Sequence, residues 1–250
     1  MNWIRIAVLP FTSLALLCAL TPVPAAAQDT EPGWLNVRVI EVKPDRAGEW
    51  IELQKEMNAA IKKAGGTGRD IFQVARGDVD TYHIVTLVPK LGANDEPAAN
   101  PLGEVRFAQW GARVSQCVGR RQVLTLRRIP ELSIPAKEGQ RPNLVMLTMR
   151  TTIAGKDAEY SKYLKDDIVP ALKKAKLDAF YVSRVFAGES PYTWIGAGWV
   201  DKWSSFDEPH PIIRALGEAE GTKVLQKGGA IIARAQNVLL RYRADLSVHP

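Results

Sequence analysis

Residues 34–133 and 143–247 align in constant order, with an offset that drifts between 108 and 114 positions. In the first long helical pattern Leu53 matches Leu164 and Met57 matches Ile168. There, too, Ala60-Ile61-Lys62-Lys63-Ala64 reads against Ala171-Leu172-Lys173-Lys174-Ala175. Further along, Phe72-x-Val74-x-Arg76 matches Phe180-x-Val182-x-Arg184, and Arg38 matches Arg150. Near the ends Gln122, Leu126 and Arg127 match Gln236, Leu240 and Arg241, and Leu132-Ser133 matches Leu246-Ser247. A repeat of this length requires that one fold serve both halves.

Each half follows the same order of elements. Alternation in Leu35–Val39, and at Val145, Leu147 and Met149, predicts a half-buried strand opening each copy. A helix then starts near Asp45, with Trp50, Leu53, Met57, Ile61 and Ala64 on one face. Its counterpart carries Tyr160, Leu164, Ile168, Leu172 and Ala175, and Pro170 is expected to kink it. Gly65-Gly66-Thr67-Gly68 stops the first helix. Two strands follow in each half, 70–76 with 80–88 and 179–186 with 192–201, joined by turns at Gly77-Asp78 and Gly188-Glu189-Ser190-Pro191. A second helical zone has Phe107, Trp110, Val114 and Cys117 as its buried stripe in the first half and covers 210–233 in the second. Closing strands fall at 121–129 and 236–243. The order β-α-β-β-α-β is that of a ferredoxin-like unit, so the expected class is α+β with two tandem units. The first spans 34–133, the second 143–247, and the Pro- and charge-rich stretch 134–142 reads as a linker.

Residues 1–27 read differently. Arg5 precedes an apolar run from Ile6 to Leu20, and Ala25-Ala26-Ala27 follows Pro22 and Pro24, the layout of a secretory signal peptide cleaved after Ala27. The run is shorter than the ~20 apolar residues that span a bilayer. Leu17 before Cys18 does not suit lipidation, so no stable membrane anchor is expected. The predicted address is exported, periplasmic or extracellular in a bacterium. Cleavage leaves Cys117 as the lone cysteine, which rules out an internal disulfide; its place on an apolar helix face favours a buried thiol. The formal net charge of +6 is spread without a dense Lys/Arg tract, which argues against nucleic-acid binding.

Element order, repetition and helix pattern together resemble the dimeric α+β barrel superfamily. That group includes antibiotic-biosynthesis monooxygenases, NIPSNAP-type proteins, muconolactone isomerases and chlorite dismutase-like haem proteins. The resemblance covers nearly all of residues 34–247 and implies that the two antiparallel sheets close into a barrel within one chain. Some members bind haem through a histidine in the second unit, which here points to His210, between Pro209 and Pro211.

Chemistry-bearing motifs are few. His83 sits in a strand and His249 next to the last residue. Neither His-x-x-x-His, Cys-x-x-Cys nor Glu-x-x-His occurs, so a protein-only metal site has no support. No Gly-x-Ser-x-Gly is present. The informative cluster is aromatic and basic: Tyr192 and Trp194 share one face of a strand, and Trp199 takes the other. Gly196 and Gly198, on the Trp194 face, are expected to leave room for a ligand. Arg184 is the natural partner for a carboxylate, phenolate or enolate, whereas recurrence as Arg76 equally suits a role at the barrel rim. The ligand-binding candidates are therefore Tyr192, Trp194, Arg184 and Trp199. Three functions are compatible with them: an exported protein binding a small apolar or aromatic molecule without a cofactor, a cofactor-independent monooxygenase or isomerase, and a haem-binding barrel. In the second, Trp194 and Arg184 act as electrostatic partners and Tyr192 as proton donor. No catalytic residue is assigned. The expected partner is a small molecule, and self-association into a homo-oligomer is left open.

Overall fold

The computed structural model describes residues 33–95 and 100–249; residues 1–27, read above as a signal peptide, lie outside that range. In the first half, β1 (Trp34–Val42), α1 (Ala47–Ala64), β2 (Asp70–Val74), β3 (Thr81–Val88), α2 (Glu104–Cys117) and β4 (Val118–Arg128) follow one another. The second half repeats the order with β5 (Leu144–Thr152), a helix broken into α3 (Asp157–Tyr163) and α4 (Val169–Lys174), β6 (Phe180–Ala187) and β7 (Thr193–Val200). Its second helix is also split, into α5 (Pro211–Leu216) and α6 (Glu218–Gly229), before β8 (Ile232–Tyr242).

The eight strands form one closed antiparallel barrel in the order β1-β3-β2-β8-β5-β7-β6-β4. Each half supplies a four-stranded sheet with two open edges, and closure removes all four by pairing β2 with β8 and β4 with β6. Strand alternation then divides the side chains. Val37, Val39, Leu124, Val185, Leu147 and Ile195 are among those that pack inward, while Ile40, Tyr82, Val182 and Trp194 pack outward against the helices. At the β4–β6 seam the approach is close enough that a Cβ on Gly188 would lie 2.0 Å from the Val123 carbonyl oxygen, and Gly188 has φ +95°. Glycine is the residue that fits there.

The matched Leu-Ser pairs explain how the halves hold each other. Leu246, from the segment after β8, is fully buried in the core of the first half, and Leu132, from the segment after β4, is buried in the core of the second. Both serines use their hydroxyl to accept a backbone N–H of the other half: Ile71 donates to Ser247 at 2.9 Å and Val182 to Ser133 at 3.0 Å. Residues after Leu132 stay docked as well, since Ile134 bridges to Phe180 and the Ala136 N–H donates to the Tyr181 hydroxyl. The exchange is reciprocal, so each half completes its core with the other's tail.

Three local details refine the sequence pattern. The interruption expected at Pro170 is a π turn at Leu164–Ile168, which precedes the proline and absorbs the missing hydrogen bond. Phe107 is exposed and stacks on Trp110, because α2 covers the sheet through its C-terminal end, where Cys117 is fully buried. Gly65 ends α1 at φ +62°, but the position matched to it is Lys176, held at φ +57° with the same closing bond from Leu177 N–H to the Leu172 carbonyl.

Candidate functional site

The outer face of the second half gathers the predicted residues around an acid that the sequence did not advertise. Asp157 opens α3, where a carboxylate is favoured by the exposed N–H groups of the first turn. Its Oδ1 accepts the indole N–H of Trp194 at 2.7 Å and its Oδ2 pairs with the Arg184 guanidinium at 2.7 Å. Arg184 also donates from Nε to the Pro191 carbonyl at 3.1 Å, and its guanidinium carbon stands 5.7 Å from the Trp194 ring centroid. Trp194 is buried, whereas the Arg184 side chain keeps 40% of its surface in solvent. Tyr160 packs edge-on against Trp194 at 5.4 Å, and burial drives its phenol well above the ordinary range, opposed by nearby Arg150.

The strand register extends this site sideways. Trp34 pairs with Arg127, Arg127 with Arg184, Arg184 with Trp194 and Trp194 with Arg150, so one lateral row crosses β1, β4, β6, β7 and β5 on the outer face. From Trp34 to Trp194 the row spans three strand spacings, about 14 Å. Arg127 and Arg184 are directly opposed like charges, a destabilising arrangement unless an anion joins them. Asp157 supplies one such charge, to Arg184. Arg127 is exposed and makes no ion pair with any described residue. Trp34 meets Phe186 edge to face at 5.1 Å, and Phe186 is 60% exposed, so an aromatic rim stands beside the two arginines. Tyr192, also exposed, precedes β7 next to the Pro191 carbonyl that holds Arg184.

The fourth candidate does not join them. Trp199 sits on the lumen side of β7, with its ring 5.9 Å from Tyr181. The space expected beneath Gly196 and Gly198 is also filled. A Cβ on Gly196 would meet Thr148 Oγ1 at 2.7 Å and the Phe180 ring at 3.0 Å, so Phe180 from the neighbouring strand occupies that volume. The layer between sheet and helices is packed with Tyr160, Tyr163, Leu164, Phe180 and Ile212.

No family model and no curated protein matches this sequence. Solved structures do match. A monooxygenase candidate from Lactobacillus acidophilus NCFM superposes with a TM-score of 0.60 at 12% identity, over 87% of this chain and 96% of its own. The chain has the dimeric α+β barrel fold. An anthrone oxidase-like protein shares the barrel at TM-score 0.59 and 10% identity, with 86% of this chain and 93% of that one covered. A chlorite dismutase mutant from Candidatus Nitrospira defluvii does so at 0.54 and 12%, with coverage of 87% and 93%. At such identities the likeness extends to the fold alone.

Haem can therefore be judged only on the residues of this barrel. His210 uses Nδ1 to accept the Ile212 N–H at 3.3 Å and so caps α5, with the residue exposed. The layer between sheet and helices behind α5 is filled by the aromatic side chains just described, which leaves no space there for a macrocycle. These residues do not fit an axial-ligand role for His210. Among the described residues no cluster of three or more His, Cys, Asp or Glu is placed to hold a metal ion, and no helix is long and apolar enough to cross a membrane.

Sequence reasoning missed Asp157, Arg127, Trp34 and Phe186. Arg127 carried a signal, its match to Arg241, but its partner Arg184 becomes visible only once β4 is known to pair with β6.

Proposed function

We propose that this barrel is an exported binding protein for a small, flat aromatic anion, held on the outer face where β4, β6 and β7 adjoin. The carrying observation is the opposed pair Arg127 and Arg184, of which only Arg184 is matched by a carboxylate, beside the exposed rings of Phe186 and Tyr192. A ligand carboxylate or phenolate accepts charge-assisted hydrogen bonds from both guanidiniums, and its ring lies against the aromatic rim. Trp194 supports Arg184 from beneath, and Asp157 fixes both. Export rests on the leader-like residues before Gln28 and is tested by the N-terminal sequence of the secreted protein.

The oxygenase reading draws less support from the same residues, because the Trp194 N–H is committed to Asp157 and the Tyr192 ring stands at an exposed edge. A panel of aryl carboxylates and phenolates, followed by thermal shift and calorimetric titration, tests the binding reading. The expected result is stabilisation by at least one member, weakened about tenfold or more in Arg127→Ala and in Arg184→Ala. Absence of any stabilising member, or affinity unchanged in both variants, overturns it. Oxygen uptake with the same phenols, retained in Arg184→Ala, would also remove Arg184 from any catalytic role.

A further inference from the structure

A depression lies beside the second seam of the barrel. Where the ends of β8 and β5 meet the segment after β7, a hollow of about 330 Å³ opens to solvent, with Leu144, Trp203 and Tyr242 among its lining. Arg241 and Lys202 line it too, and neither forms an ion pair with a described residue. The single acid of the lining, Asp201, is engaged by Asn143, whose Nδ2 donates to its carbonyl at 3.0 Å and its Oδ1 at 3.3 Å. Arg76 adds a further positive charge, its guanidinium carbon lying 4.6 Å from the Trp203 ring centroid. Trp203 is fixed by that contact from one side while remaining 39% exposed. The Tyr242 hydroxyl is bonded to His249 at 3.1 Å, which holds its ring in place.

The chemistry of this hollow is that of an anion site with aromatic walls: surplus positive charge, an indole stacked by a guanidinium, and a phenol ring. The repeat adds an independent observation, because Arg241 is the match of Arg127 and Arg76 the match of Arg184. At the second seam Arg241 faces Gln73 and Arg76 lies just beyond β2, so the matched arginines recur near it without being directly opposed, among different aromatic residues.

We propose that this hollow beside β8 and β5 is a second binding site, taking a planar aromatic anion such as an aryl sulfonate or aryl carboxylate. Arg241 and Lys202 neutralise the acidic group, and Trp203 and Tyr242 take the ring. The inference rests on the hollow and its charges, not on the site at β4–β6–β7.

The probe is 8-anilinonaphthalene-1-sulfonate, titrated into the full chain with emission read both directly and by energy transfer from tryptophan. The expected result is a binding site whose affinity falls about tenfold or more in Arg241→Ala and in Lys202→Glu. Trp203→Ala, which removes the ring wall, is expected to weaken the site by a similar factor. All three changes fall on exposed side chains, and unchanged circular dichroism checks the fold. The double variant Arg127→Ala/Arg184→Ala separates the two sites: it is expected to leave the Arg241-dependent site intact. A wild-type protein that does not bind the probe overturns the proposal, as does binding unaffected by Arg241→Ala and Lys202→Glu. Loss of all probe binding in the double variant also overturns it, since the Arg241 site would then have no independent existence.

Discussion

His83 provides a prediction whose size follows from its position. Its register partners on the lumen side are Val39 on β1 and Phe72 on β2, and the residue is only 9% exposed. No described carboxylate pairs with it, and burial lowers its pKa from 6.5 to about 4. The folded state therefore resists a proton that the unfolded chain accepts near pH 6.5. Stability is fully present above that pH and is lost progressively as the pH falls toward 4. Between pH 7 and pH 4.5 the expected loss is about 2 kcal/mol, a fall in Tm of about 4–8 °C for a chain of this length. Carboxylates titrate in the same window, so the measurement is a difference. Wild type and His83→Leu are compared by urea denaturation at both pH values, and the variant, of similar volume and without a titrating group, should lose about 2 kcal/mol less. Equal losses in the two proteins would refute the assignment of a neutral imidazole to the lumen.

The other predictions concern packing and backbone. Leu246→Ala empties a fully buried position in the core of the opposite half and should cost about 2–5 kcal/mol in chemical denaturation, an exposed-residue cost near zero being the contrary result. Lys176→Gly relieves the left-handed backbone that Gly65 occupies without strain in the first half. It should raise stability by about 1 kcal/mol, and any clear loss would show that the lysine side chain contributes there. Asp157→Ala leaves the buried Trp194 N–H without its acceptor and should destabilise by about 1–3 kcal/mol, with partial recovery in Asp157→Asn, which restores an acceptor oxygen. A neutral Asp157→Ala would mean that water replaces the carboxylate.

Much of the architecture was readable because the repeat carries long-range information. The Leu132-Ser133 and Leu246-Ser247 match was visible as letters before its meaning was, and the structure shows each leucine filling the other half's core. Alternation placed Trp194 and Trp199 on opposite faces of β7, as observed. What failed were inferences about volume. Gly196 suggested space, but the volume above a glycine belongs to whatever strand lies beside it, here Phe180 of β6. Phe107 satisfied a helical stripe, yet the periodicity of a helix does not reveal how much of its length the sheet reaches. Arg127 was missed for the same physical reason: the β4–β6 pairing joins residues far apart in the chain, and no local pattern encodes it. Pro170 marked the irregular point of its helix, but the π turn that releases the one bond proline cannot make has no signal of its own in the neighbouring letters.

The first candidate site straddles one seam and the second adjoins the other, so their geometry persists only if the seams are as stable as the sheets they join. Native-state hydrogen exchange tests this most directly. Seam amides in Phe72–Val74 and Leu240–Tyr242, and in Thr125–Arg128 and Ser183–Ala187, are compared with those in the centres of β1 and β5. A closed barrel held by exchanged tails predicts that the hydrogen-bonded seam amides open with the same free energy as the central strands. Seam opening that is easier by about 3 kcal/mol or more, with the sheets still protected, would show two separable halves and contradict the account.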